Sequence, residues 1–504
     1  MRESRFSNTA SLACVFTLLL LTAYCSRSDA QRGGEQPNIV IVLADDLGFS
    51  DVGCYGGEIE TPSINALAEN GVRFSQFYNA ARCCPTRASL MTGLYPHQAG
   101  MGWMTAADMR REPYRGELSN DLPTITEVLK TAGYATYLSG QWHLTRDDRM
   151  SEPNESWPTR RGFDRYFGTL AGSSDYYDPE FLYSGTEPVS LDDGAYLTDA
   201  ITDHAVKFLL EHAETKDDSP FFLYLSYTAP HWPLQAPEGL VRKYEARYAA
   251  GWDRLRAERY ARQEAAGLGG AAWPLSARDE AVDGWDVMTE KEQEELTERM
   301  AYYAAMVESM DTGIGRVMDE LRRQGVEQDT IVFFLSDNGG NWEGGPRGWN
   351  RTPTVEKYTE GSNVSYGQSW ANLSNVPFRE YKSRTHEGGI ATPFIVHWAR
   401  GSIEAGSWSA QVGHVMDLMP TCIELAGAQT GAAFEGRSLV DAIGGRMFDR
   451  GPLIWEHEAN RAIRVGDWKL VAKGIAGSWE LYNLAEDRSE TRDLATERAD
   501  KVDE

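Results

Sequence analysis

The sequence predicts an α/β fold: a large mixed, mainly parallel sheet sandwiched by helices, with a small C-terminal antiparallel-sheet subdomain. Three observations lead there. Short apolar runs without alternation recur along the chain, as strands covered on both faces require. Helical apolar spacing falls between those runs, the order that builds parallel sheets. After residue 450 the texture changes to short, turn-separated β-like segments. At 504 residues and 41% apolar, the chain is long enough to bury a full core.

Residues 1–30 read as a secretory signal peptide. Arg2 and Arg5 precede an apolar run from Leu12 to Ala23, and Ser28-Asp29-Ala30 offers a small-x-small cleavage site. The reading is an exported protein, periplasmic or secreted, whose mature chain begins near Gln31. Lipoprotein anchoring at Cys25 is the weaker alternative, because bulky Tyr24 precedes that cysteine. The run is shorter than the ~20 residues a spanning helix needs, so no transmembrane segment is expected after signal cleavage. A formal net charge of −26 argues against a nucleic-acid partner or an anionic membrane surface. Beyond the signal lie Cys54, Cys83, Cys84 and Cys422. Two disulfides would be ordinary for an exported chain, but adjacent Cys83 and Cys84 make a poor scaffold for both.

Four strand-like runs each end in residues capable of chemistry. "NIVIVLADD" runs Ile39 to Leu43 and ends in Asp45-Asp46, and "GYATYLSGQWH" runs Tyr134 to Leu138 and delivers Gln141 and His143. "FFLYLSYTAPH" runs Phe221 to Tyr227 and delivers His231, and "IVFFLSDNGG" runs Ile331 to Leu335 and delivers Asp337 and Asn338. Any one of these alone reads as a turn or helix cap. Four in one parallel sheet converge, because ligands of open sheets sit beyond the carboxyl ends of the strands.

The helices fall between. One covers Leu122 to Ala132, and a long one opens at Thr289, where Glu292 completes a capping box. Its Leu296, Met300, Tyr303, Val307, Met310, Ile314, Val317 and Leu321 form a core-facing stripe. Residues 240–290, rich in Arg and Glu, read as a solvated helical insertion without chemistry. "LIWEHE", "RAIRVGDWKLVAK" and "WELYNL" give the antiparallel sheet. The expected boundaries are a catalytic domain over 36–445 and a β-rich subdomain over 446–504. The chain stops while a helix-like pattern is running, so a truncated C-terminus is expected.

Cys83-Cys84-Pro85-Thr86-Arg87, continuing through "ASLMTG", resembles the signature of the formylglycine-dependent sulfatases, arylsulfatase-like members of the alkaline phosphatase superfamily. "NIVIVLADDLGFSDVGCYGG" and "LSDNGG" are similar to that family's two metal turns. The resemblance implies that a formylglycine-generating enzyme oxidises Cys83 to an aldehyde during maturation. One hydroxyl of the hydrated aldehyde would attack sulfur, and deprotonating the other would expel sulfate and restore the aldehyde. It further implies a Ca²⁺ site, with Mg²⁺ as the alternative, formed by Asp45, Asp46, Asp337, Asn338 and the modified Cys83, all hard oxygen ligands.

Roles follow from the same resemblance. Asp337 would take the attacking hydroxyl's proton, and Arg87 would brace the formylglycine. His143 would drive the elimination. His231 would bind sulfate and protonate the leaving alcohol, assisted by Lys382. Gln141 is a substrate-binding candidate by the same resemblance; Trp103 and His386 are candidates by position alone, with packing as the alternative reading. The family commonly has lysine where this chain has Gln141, and a basic residue where it has Leu94. The loss at Gln141 removes a charge-assisted hydrogen bond of ~1.5–3 kcal/mol. The expected reaction is hydrolysis of a sulfated carbohydrate or other small sulfate ester, with aryl sulfates as artificial substrates. The alternatives are a phosphate or phosphonate ester hydrolase of the superfamily, and a catalytically weakened sulfated-glycan-binding protein.

Overall fold

A computed structural model describes residues 36–215, 219–401 and 404–504; the signal-peptide reading lies outside them. Strands are numbered in chain order: β1 Asn38–Ala44, β2 Gly71–Phe74, β3 Phe77–Tyr78, β4 Ala135–Gly140, β5 Arg165–Thr169, β6 Leu182–Ser184, β7 Glu187–Pro188 and β8 Phe221–Ser226. They continue with β9 Thr330–Ser336, β10 Phe394–His397, β11 Ser407–Ser409, β12 Gly413–His414, β13 Leu453–His457, β14 Asn460–Val465, β15 Trp468–Ala472 and β16 Glu480–Asn483.

Among the described residues, ten strands form one sheet in the order β11-β2-β10-β9-β1-β8-β4-β5-β6-β7. The central strands β9, β1, β8, β4 and β5 run parallel, whereas β10 and β6 run against them. The pleat sends Val40 and Val42 into one core and Ile39, Ile41 and Leu43 into the other. Burial on both faces is why these strands read as unbroken apolar runs. The four runs singled out in the sequence are adjacent, in the order β9, β1, β8, β4.

One face of the sheet carries the long helix Glu290–Gln324 with its neighbours Leu197–Glu214 and Pro62–Glu69. Thr289 and Glu292 form the expected capping box, and all eight residues of the predicted stripe are buried. The other face packs helices Cys83–Thr92, Ile125–Thr131 and Leu418–Leu425. A second capping box, Thr124 with Glu127, opens the middle one. None of the helices among the described residues is long and apolar enough to cross a membrane.

The stretch 240–290 departs from the solvated insertion expected of it. Helices Glu238–Tyr248 and Trp252–Ala265 do form, but the second buries Trp252, Arg256, Arg259 and Gln263. Arg259 is fully buried, with Nη1 2.7 Å from Asp51 Oδ1 and Nη2 2.6 Å from Glu58 Oε1. Trp252 packs edge-on against Trp285 and Trp370. Charged residues look solvated in a hydropathy pattern, but here their partners lie some 200 positions earlier in the chain.

Near the C-terminus β13-β14-β15-β16 form a separate antiparallel sheet. It docks through Trp455, whose Nε1 donates to Asn79 O at 2.8 Å, and through buried Lys469, 2.8 Å from Glu387. Cys54, Cys83, Cys84 and Cys422 are all free thiols.

Candidate active site

The site is built where β1, β9, β8 and β4 end. Asp337 N donates to Ala44 O at 3.1 Å and Leu47 N to Ser336 Oγ at 3.1 Å, so the turns after β1 and β9 are tied together. Asp46 takes a left-handed backbone, φ 68°, and its N–H donates to Asp337 Oδ1 at 3.2 Å. Cys83 opens the helix Cys83–Thr92 and is 1% exposed. One turn on, Arg87 Nη2 pairs with Asp337 Oδ2 at 2.9 Å and Asp45 Oδ2 at 3.2 Å, while Nη1 donates to Ser226 Oγ at 2.6 Å. The lysine loop is lashed to the β9 turn and to the segment that leads into Cys83: Lys382 N donates to Gly340 O at 3.2 Å, and Ser383 N to Ala81 O at 2.7 Å.

Lys382 Nζ lies 2.7 Å from Asp46 Oδ1 and 3.1 Å from His231 Nε2. His231 Nδ1 is 2.6 Å from the carbonyl of Trp232, which makes Nδ1 the donor and turns the Nε2 lone pair toward the lysine. Burial holds His231 down to about 4, against the pull of Asp46. His143, φ 53°, is also buried, and burial together with Arg87 keeps it well below the usual imidazole range. Its Nδ1 has no partner, and its ring lies so close to Gly172 that a Cβ there would fall 2.3 Å from Nε2.

The carboxylates are uneven. Burial, then repulsion from Asp337, pushes Asp45 well above its ordinary range, and burial also raises Asp337 against Arg87. Burial would raise Asp46 too, but Lys382 and His231 outweigh it and the net shift is downward. Three carboxylates therefore face two cations, Arg87 and Lys382. Asp45 Oδ1 and Asn338 Oδ1 are buried without a hydrogen-bond partner. Ligand atoms of Asp45, Asp46, Cys83 and His231 lie within 4.8 Å of one another. Asp337 stands outside that group, engaged by Arg87 and Asp46 N, and Asn338 Nδ2 donates to Asp46 Oδ1 at 2.7 Å. A surplus negative charge with unpartnered hard oxygens suits a hard cation.

A cavity of about 420 Å³ opens above these groups, with Cys83, His143, His231 and Lys382 in its lining. The remaining predicted binding residues sit elsewhere. Gln141 is fully buried beneath, its Nε2 donating to Ala171 O at 3.2 Å and its Oε1 without a partner. Trp103 is outside the lining, with its carbonyl 3.6 Å from Cys84 Sγ. His386 is drawn toward the C-terminal sheet, with Nε2 3.3 Å from Glu480 Oε2.

Three residues that sequence reasoning missed complete the site. Asn341 Nδ2 donates to Asp46 Oδ2 at 2.6 Å; it shares the glycine-rich turn of Asn338, which was the available signal. Glu343 accepts from Trp232 Nε1 at 2.8 Å and pairs with Arg82 Nη2 at 3.0 Å, joining the flanks of His231 and Cys83. No local pattern announces either Glu343 or Arg82.

A profile of the sulfatase family matches residues 37–428. An uncharacterized sulfatase of Schizosaccharomyces pombe is 34% identical, covering 94% of this chain and 93% of its own. The arylsulfatase of Klebsiella aerogenes is 33% identical over 81% of this chain and 91% of its own. The crystal structure of Ps i-CgsB superposes with a TM-score of 0.68 at 26% identity, over 93% of this chain and 90% of that one. That protein is also known in complex with k-i-k-neocarrahexaose. With the family profile spanning the strand-end turns, the Cys83 helix and the lysine loop, the chain belongs to the sulfatase family and is a sulfuric ester hydrolase.

Proposed function

We propose that the enzyme releases inorganic sulfate from sulfated carbohydrates, using Cys83 oxidised to formylglycine and a divalent cation, Ca²⁺ in preference to Mg²⁺. Asp45, Asp46, Asp337 and Asn338 would hold the cation. The observation that carries the reading is the charge imbalance: three buried carboxylates against two cations, with Asp45 Oδ1 and Asn338 Oδ1 unpartnered. When present, the formylglycine hydrate supplies the nucleophile and the cation polarises a sulfate oxygen.

The chain's own residues do the rest. Arg87, fixed by two carboxylates and Ser226, orients the residue 83 side chain one helical turn away. His143 is kept neutral by burial and is ready to accept a proton, with its ring set by Gly172. His231, anchored through Nδ1, turns its Nε2 lone pair to Lys382, so a proton for the leaving oxygen would come from the lysine ammonium by way of Nε2, and the same lysine attracts the anionic ester. The carbohydrate class is supported by the bound oligosaccharide of Ps i-CgsB and by Trp232 and Phe181 in the cavity lining, whose faces suit sugar rings. Export through the 1–30 signal, maturation by a formylglycine-generating enzyme, and the division into 36–445 and 446–504 belong to the same proposal.

The test is co-expression with a formylglycine-generating enzyme, peptide mass spectrometry across Cys83, and sulfate release from the same preparation. Conversion with turnover on sulfated sugars supports the reading. An unmodified Cys83 in a preparation that still releases sulfate would overturn the formylglycine mechanism.

A further inference from the structure

Beside the cavity stands a cluster whose Trp349 and Arg351 the chemistry above does not use. Trp232, in the lining, meets Trp349 edge to face with centroids 5.2 Å apart at 75°. Both indoles are tethered: Trp232 Nε1 donates to Glu343 Oε2 at 2.8 Å and Trp349 Nε1 to Asn363 Oδ1 at 2.9 Å. The loop that carries Trp349 is itself braced. Arg351 N donates to Asn363 O at 2.9 Å, Asn363 N to Thr352 Oγ1 at 2.7 Å, and Arg299 Nη1 to Trp349 O at 2.7 Å.

On this frame lies the guanidinium of Arg351, 3.5 Å from the centroid of Trp349 and 5.5 Å from that of Trp232. Stacking orients its plane and leaves its N–H edge for an acceptor. The side chain is exposed, and among the described residues it forms no ion pair. That is unusual in a chain of net charge −26, where an arginine at the surface has many carboxylates to choose from. Two carboxylates of the lining carry the reverse sign. Asp147 and Glu180 line the cavity, both exposed and neither paired with a cation among the described residues. Coulomb repulsion turns a second anionic group on the substrate away from those carboxylates, and Arg351 beside the cavity is an unpaired cation to receive it.

We infer that Trp232, Trp349 and Arg351 form a subsite for a second anionic group, a sulfate or a carboxylate, on the sugar that carries the scissile sulfate or on its neighbour. The inference rests on the sulfated-carbohydrate reading and narrows it to doubly charged substrates. The scissile sulfate occupies the cavity floor at Cys83, His231 and Lys382. Trp232 meets the face of the sugar, and the Arg351 fork, 5.5 Å from the Trp232 centroid, receives the second anion.

The test compares three disaccharides that share the scissile sulfate: one with a second sulfate, one with a uronate carboxylate, and one otherwise neutral. For the converted enzyme, Arg351→Gln is expected to lower kcat/KM about tenfold more on the doubly charged sugar than on the neutral one. Whichever doubly charged sugar shows the loss identifies the second anion as sulfate or carboxylate. Arg351→Lys, which keeps the charge but loses the planar stack, is expected to recover part of it. Calorimetric titration of the Cys83→Ser chain with the same sugars, with and without Arg351→Gln, reads the preference without turnover. Equal effects on all three sugars in both assays overturn the subsite. Failure of the converted wild type to release sulfate from any of them sinks the sulfated-carbohydrate reading instead, and the titration still decides Arg351.

Discussion

Arg87 and Arg259 are both fully buried, and each is clasped by two carboxylates, yet their surroundings close differently. Arg259 answers Asp51 and Glu58, and Arg262 adds a second cation 2.8 Å from Glu58, so the charges balance. Asp51 also accepts from Gly48 N at 2.9 Å and Tyr303 Oη at 2.7 Å. Burial still lifts Asp51, but Glu58 is held below its ordinary range because the two arginines outweigh its burial. Around Arg87 a third carboxylate intrudes, one negative charge is left over, and an oxygen of Asp45 has no donor. The same ingredients thus serve two ends. A closed ion cluster holds the chain together, whereas an open one leaves charge and oxygens for an added group to answer.

The sharpest way to break this contrast is Arg259→Met. It leaves two carboxylates buried without their partner and should cost about 3–5 kcal/mol in urea unfolding. A loss below about 1 kcal/mol would mean that the closed cluster is dispensable. Next comes Asp45→Asn, which removes the surplus charge of the open cluster. Sulfate release should fall at least about 100-fold, while the cation-free protein unfolds at the same or a higher urea concentration. The wild type should gain about 2.7 kcal/mol from Ca²⁺ at 100 times its Kd, and the variant much less. A variant that kept its activity and lost stability would reverse the assignment.

The smallest effect is on pH dependence. The folded Glu58 sits below its ordinary 4.5, so its contribution is present above that value and is lost as pH falls through the lower, folded one. Glu58→Gln should therefore flatten the acid limb of stability below about pH 4.5, with no change in slope near neutrality. An unchanged acid limb would show that Arg259 does not select the ionised form.

The strands and their chemical endings were legible because burial on both faces keeps charged residues out of β1, β4, β8 and β9 and leaves them to the turns that follow. The long helix was legible from its cap and stripe. Arg259 was not, because the pattern of one helix says nothing of carboxylates far away in the chain. His386 and Trp103 show how little nearness in sequence says of place: His386, four positions after Lys382, pairs with Glu480, and Trp103 stands outside the lining. Glu343 escaped notice because its meaning lies in the three segments it joins, those of Trp232, Arg82 and Asn341.

The strand order also makes the sheet a ruler for the reaction. Asp337 and Asn338 leave from β9, Asp45 and Asp46 from β1, His231 from β8 and His143 from β4, four consecutive marks. Their pitch, about 4.8 Å, is fixed by backbone hydrogen bonds and not by any side chain. Repacking the core leaves the graduations unchanged. A substrate of different dimensions has to be met by the loops beyond the scale, and the stretch 341–366, which holds Trp349 and Arg351, is where such adjustment can happen without moving a mark.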